Sequence, residues 1–175
     1  MMQANHLNPK LGAAAQLAAG ALAAWDSAKM RIKGQHSGTE VLGSVSRSLP
    51  ALVRADKIGA KARRHGFDFA TPQEAFSKVH EELAEAEAAV QSGSAEDIAE
   101  EFGDLLLSVT CAARLAGADS EKALYDANEK FIARFSAMEA AADERGETLA
   151  ECAKSEKLSL WARAKSSEKR RKTEN

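Results

Sequence analysis

The chain has 175 residues, with 24 Lys+Arg against 26 Asp+Glu, a formal net charge of -2 and only 5% aromatic residues. That length suffices for one domain with its own core, the balanced charge argues against a dedicated nucleic-acid binder, and 11 Gly with 3 Pro are too few turn residues for a sandwich or barrel of many short strands. Cys111 and Cys152 form no CxxC pair and no zinc pattern, and no apolar run reaches the length of a membrane span, which argues against a disulfide scaffold and a membrane partner.

Residues 11–25 (LGAAAQLAAGALAAW) are apolar apart from Gln16, with Lys10 before them and an A-x-A at Ala21–Ala23. A signal peptide shares these features. A single basic residue and Trp25 beside the would-be cleavage site favour an Ala-rich amphipathic helix, and with it a cytoplasmic protein. Residues 34–49 (GQHSGTEVLGSVSRSL) show little periodicity and read as a linker. The expected organisation is an N-terminal helix and linker over 1–48, a helical domain over 49–165 and a charged, frayed tail over 166–175.

Pro50 suits the start of a helix running to about Arg64, and Gly66 suits its end. Thr71-Pro72-Gln73-Glu74 is a strong start for the next, with Thr71 as cap. Phe76, Val79, Leu83, Ala86 and Val90 then recur at helical spacing. Ser92-Gly93-Ser94 stops this helix, and Ser94 can cap another carrying Ile98, Phe102, Leu105, Leu106, Val109 and Ala113. After Gly117, Asp119 can cap a third core helix with Leu124, Ala127, Phe131, Phe135 and Met138, with Gly146 near its end. A last helical stretch holds Leu158, Leu160 and Trp161. With no convincing strand, the fold class is all-α.

Two of these helices carry matched acidic pairs. The first contains Glu81-Glu82-x-x-Glu85 and the second Glu101-Phe-Gly-Asp104. On a helical wheel with Val79 at zero, Glu82 falls at about 300° and Glu85 at about 240°. With Ile98 at zero, Glu101 and Asp104 fall at about the same two angles. Each pair therefore flanks its apolar stripe on the same hand. A short loop makes the helices antiparallel, and the two-fold axis relating them keeps same-hand flanks on one side. Glu82, Glu85, Glu101 and Asp104 thus line one groove. Two carboxylates about 5 Å apart repel by roughly 3 kcal/mol at an effective dielectric near 20, so protons or cations must offset the cluster. Hard oxygen donors without His or Cys suit Mg²⁺ or Mn²⁺.

Basic residues also recur. Lys78 lies four residues before Glu82 on the same flank, Lys130 and Arg134 are four apart, and so are Lys57 and Lys61. Taken singly, Lys57, Lys61 and Lys78 read as surface partners of nearby Glu residues. Beside a metal site, such cations suit a polyphosphate. The Trp161 indole reads either as a core-capping aromatic or as a surface for stacking a base.

The segments LPALVRADKIGAKARRHGFDF, KVHEELAE, EEFGDLLLSV, ANEKFIARF and LWARAK, in that order, resemble the MazG nucleoside triphosphate pyrophosphohydrolases over about residues 40–165. The likeness is closest to the second, catalytic domain of two-domain members. Residues 20–45 resemble the tail leading out of a first domain, so the chain is similar to a one-domain version. The resemblance implies an all-α helical bundle that assembles as dimers or higher homo-oligomers. It implies Mg²⁺-dependent hydrolysis of the α–β phosphoanhydride of nucleoside triphosphates, giving monophosphate and pyrophosphate. By motif, Glu82, Glu85, Glu101 and Asp104 match metal ligands. Lys78, Glu81, Lys130 and Arg134 match segments that hold the nucleotide, and Trp161 an aromatic near it. Glu81 or a ligand carboxylate would accept the proton of the attacking water. Cys111 stands where relatives often have Asn, and Phe69 replaces a frequent Trp; both bear on base preference. Two alternatives stay open: an enzyme restricted to one deoxynucleotide or phosphoribosyl nucleotide, and a non-catalytic helical dimerisation or regulatory module.

Overall fold

In a computed structural model, the described residues are Trp25, Ala28 and 37–173, with the backbone alone described over 168–173. The helix expected over 11–25 lies outside the described residues apart from Trp25. Among the described residues there are six helices and no strand: α1 (Gly38–Gly43), α2 (Ala51–Arg64), α3 (Pro72–Ser92), α4 (Ala95–Leu115), α5 (Ser120–Asp143) and α6 (Lys154–Thr173). The fold is all-α, as expected. None of these helices is long and apolar enough to cross a membrane.

The helices begin where local chemistry supplies caps. Thr71 Oγ1 accepts from the Glu74 N–H at 3.2 Å, while the Glu74 carboxylate accepts from the Ala70 N–H at 2.9 Å. Ser94 and Asp97 close a reciprocal capping box, with bonds of 3.1 and 2.8 Å. Asp119 accepts from the Lys122 N–H at 3.0 Å to start α5. Gly66 and Gly117, at φ 80° and 78°, take the left-handed conformation just after α2 and α4.

The chain divides into two compact units, Met1–Ala118 and Asp119–Asn175. In the first, α1 rests on α2, α2 rests on α4, and α3 pairs with α4 as the dominant packing. Only Gly93 and Ser94 connect α3 to α4, so the pair is an antiparallel hairpin. In the second unit α5 packs on α6 around Met138, Ala142, Cys152, Leu160 and Ala164, with Leu149 and Trp161 against them.

Three expectations need correction. The segment 34–49 is not all linker: α1 forms within it, capped by Ser37, with Val41 and Val45 buried. The charged tail is helical through Thr173, because 166–173 holds neither Gly nor Pro to stop propagation. The third correction matters most. The α3–α4 seam keeps only part of the expected apolar stripes, Val79, Ala86, Ile98 and Leu105. On α3 the covered positions include Ala75, Val79, Glu82, Ala86 and Ala89; on α4 they include Ile98, Glu101, Leu105, Ser108, Thr110 and Ala112. Small side chains let the helices approach closely, and the seam turns away from the bulky residues. Phe76, Leu83, Val90, Phe102, Leu106 and Val109 remain between 42% and 59% exposed. Glu82 and Glu101 are therefore seam residues, not groove-edge residues flanking a core stripe.

Candidate active site

The seam position of Glu82 fixes its environment. Its side chain is 6% exposed, one of few polar groups buried among Ala-rich packing. Oε1 accepts from Lys78 Nζ at 2.7 Å, and the same ammonium donates to Glu81 Oε1 at 2.7 Å. Glu82 Oε2 is buried with no hydrogen-bond partner. A buried carboxylate oxygen without a partner is costly.

Across the seam stands Glu101, half-buried on α4. Glu82, Glu85 and Glu101 each bring one oxygen into a group in which all lie within 4.8 Å of one another. Desolvation, then the negative charges of Glu85, Glu82, Asp104 and Glu100, push the Glu101 carboxyl above its ordinary value. Hydrogen bonds to Glu81 and then Glu82 push the Lys78 ammonium upward.

Three of the four carboxylates expected to share a metal are thus together. Asp104, exposed and one turn beyond Glu101, lies outside that group, although its charge is felt by Glu101. Glu81 is exposed and turned to Lys78. The donor set fits a hard divalent cation: carboxylate oxygens only, from residues that include Glu82, whose Oε2 is buried and has no partner.

The other expected site residues belong to the second unit. Lys130 is exposed on α5. The Arg134 guanidinium carbon lies 5.5 Å from the Trp161 ring centroid, a cation–π contact. Trp161 also meets Phe131 at 5.3 Å between ring centres, and Phe131 stacks on Phe135 at 6.3 Å. Trp161 is half-buried and reaches the edge of the α5–α6 core, so it serves as core cap while keeping part of its ring accessible.

One charged element was not read from the sequence. Asp68, in the turn before α3, receives two bonds from Arg114 on α4, at 3.0 and 2.7 Å, and both side chains are 11% exposed. Arg63 Nε stands 3.9 Å from the same carboxylate. The Arg114 hydrogen bonds hold the Asp68 carboxyl below its ordinary value. A Cβ at Gly59 on α2 would come within 3.2 Å of Arg114 Nε, so glycine there admits the guanidinium. The partners are 46 positions apart, beyond any helical period. The available hint was an Arg at the end of a helix whose last half, residues 105–115, is otherwise uncharged.

Residues 70–139 match the family model of the MazG nucleotide pyrophosphohydrolase domain. The chain belongs to the MazG family through this segment. It is 33% identical over 141 residues to the nucleoside triphosphate pyrophosphohydrolase/pyrophosphatase MazG of Thermotoga maritima, covering 81% of this chain and 54% of that protein. It is 38% identical over 130 residues to the nucleoside triphosphate pyrophosphohydrolase of Escherichia coli, covering 71% of this chain and 48% of that one. The chain therefore spans about half the length of the curated relatives it matches. The MazG segment contains all of α3 and α4 and most of α5, and with them every expected site residue except Trp161.

Proposed function

We propose that this MazG chain hydrolyses nucleoside triphosphates at the α–β phosphoanhydride, releasing nucleoside monophosphate and pyrophosphate with Mg²⁺, or Mn²⁺ in its place. The observation that carries the reading is the gathering of Glu82, Glu85 and Glu101 oxygens at a residue, Glu82, whose Oε2 is buried and unpartnered. A fold keeps such an oxygen when a cation satisfies it. Glu82, Glu85 and Glu101 would hold the ion, and Asp104 would join them by a rotamer change or through water. The bound ion supplies charge neutralisation of phosphate oxygens and polarisation of a water.

The chain's own groups account for the rest of the step. Lys130 and Arg134 would offset the charge that builds on the leaving pyrophosphate. The accessible part of Trp161 would stack the base, with Phe131 behind it. Glu81, exposed and one residue from Glu82, would accept the proton of the attacking water. The substrate class places the activity in the cytoplasm. Self-association belongs to the same reading. Leu83, Val90 and Phe102 border a shallow apolar depression of about 260 Å³ on the hairpin, a surface suited to a second copy.

Pyrophosphate release measured over a panel of ribo- and deoxynucleoside triphosphates, with and without Mg²⁺, tests the proposal. Release that requires the metal is expected. Glu82→Gln should lower it by more than the ~10–100-fold that loss of an outer-shell partner costs, with helicity unchanged. Wild-type turnover in that variant would remove Glu82 from the metal site. No release from any triphosphate would favour a non-catalytic regulatory module.

A further inference from the structure

We propose that Lys78 is a built-in counter-ion of the carboxylate cluster, which a divalent ion must compete with. The inference rests on the metal reading above. Lys78 sits one turn before Glu81 and Glu82 on α3, so helical spacing alone brings its ammonium to both. It touches Glu81 Oε1 and Glu82 Oε1 at 2.7 Å each, and its side chain is 35% exposed. It takes only one oxygen of Glu82. The other, Oε2, keeps no partner.

One ammonium therefore meets two tasks. It offsets part of the repulsion among Glu82, Glu85 and Glu101, which would otherwise open the seam when no metal is bound. It also leaves the oxygen a metal needs. The cost falls on cation affinity: a divalent ion at Oε2 sits beside a fixed positive charge, in a partly buried site where screening is weak. An ordinary phosphate-contacting lysine would have no reason to be seated on a metal ligand. A lysine that merely orients Glu82 would aid metal binding, not oppose it. The two roles predict opposite signs.

Mn²⁺ titration of the full chain without nucleotide, followed by the paramagnetic resonance signal of free Mn²⁺, decides between them. Lys78→Met should bind Mn²⁺ at least ten-fold more tightly than wild type, and Lys78→Arg should restore wild-type affinity. In chelator, Lys78→Met should melt below wild type and recover on adding Mn²⁺. Lys78→Gln gives the same reading if the Met variant does not fold. Equal or weaker Mn²⁺ binding by the uncharged variants would overturn the proposal while leaving the metal site standing. Absence of Mn²⁺ binding by wild type and Lys78→Met alike would bring down the metal reading, and this inference with it.

Discussion

Two acidic places in the first unit obey opposite charge logic. The Asp68 side chain is largely covered and its charge is answered: Arg114 gives it two bonds, Arg63 adds charge, and its carboxyl is held below the ordinary value. Glu82, Glu85 and Glu101 are gathered without enough positive charge, one oxygen is orphaned, and the Glu101 carboxyl is pushed up. Both sites lie along α4, one near its C-terminal end and the other in its first half. A charge-balanced pair ties α4 to the turn before α3, although Arg114 Nε itself has no partner; a cluster of like charges stores a demand that a ligand can meet. The incomplete member is the one proposed above as the functional site.

Removing the balanced pair's negative charge should produce the larger stability effect. Asp68→Asn leaves Arg114 buried without a counter-charge, and breaking such a pair costs about 3–5 kcal/mol. Because the folded carboxyl titrates below its unfolded value of 3.8, the Asp68 contribution is present above that pH and is lost as pH falls through the folded value. Denaturant melts of wild type and Asp68→Asn should differ widely at neutral pH and converge under acid conditions. Mn²⁺ affinity of the folded variant should stay near wild type. A large loss of metal binding would show that the two sites are not independent.

A smaller effect is expected at the hairpin turn. Gly93 donates to the Ala89 carbonyl at 2.7 Å, and a Cβ on residue 93 would lie 2.7 Å from that same oxygen. Backbone cannot yield as a side-chain tip can. Gly93→Ala should cost about 1–3 kcal/mol, the usual range for overpacking. Any shift of α4 against α3 moves Glu101 relative to Glu82, so metal affinity should fall together with stability. A variant that loses stability and keeps full metal affinity would mean that the seam, not the turn, sets the carboxylate spacing.

The sequence carried the helices and the acidic pairs because both are local. Thr71, Ser94 and Asp119 cap where they were expected to, and the matched spacing of Glu82/Glu85 with Glu101/Asp104, closed by a two-residue turn, leads to carboxylates facing one another. What was not legible is the choice of seam. Hydropathy marks Phe76, Leu83 and Phe102 as core. The covered side instead adds Ala75, Ser108 and Ala112 to the expected Val79, Ala86, Ile98 and Leu105, and this choice buries Glu82. The apolar stripe is also wider than one partner helix can cover, so part of it faces outward. Asp68–Arg114 escaped for a different reason: its partners are joined by tertiary packing, and no periodicity links them.

The finest test of the comparison is Glu101→Gln, where the sign reverses. A carboxyl whose folded value lies above its unfolded value of 4.5 contributes stability below that pH, and this is lost as pH rises through the folded value. At neutral pH and without metal, ionised Glu101 therefore opposes folding. Glutamine has a similar shape and no charge, so Glu101→Gln should melt slightly above wild type at pH 7 in chelator. The difference should vanish near pH 4, where wild type carries the proton itself. Adding Mg²⁺ should invert the order, since binding stabilises only a native state that holds the ion. Wild type would then rise while the variant stays in place. Thermal melts at the two pH values, each with chelator or Mg²⁺, read all four conditions. A variant that melts below wild type in chelator at pH 7 would mean that Lys78 already balances the cluster in full, and the contrast with Asp68 would disappear.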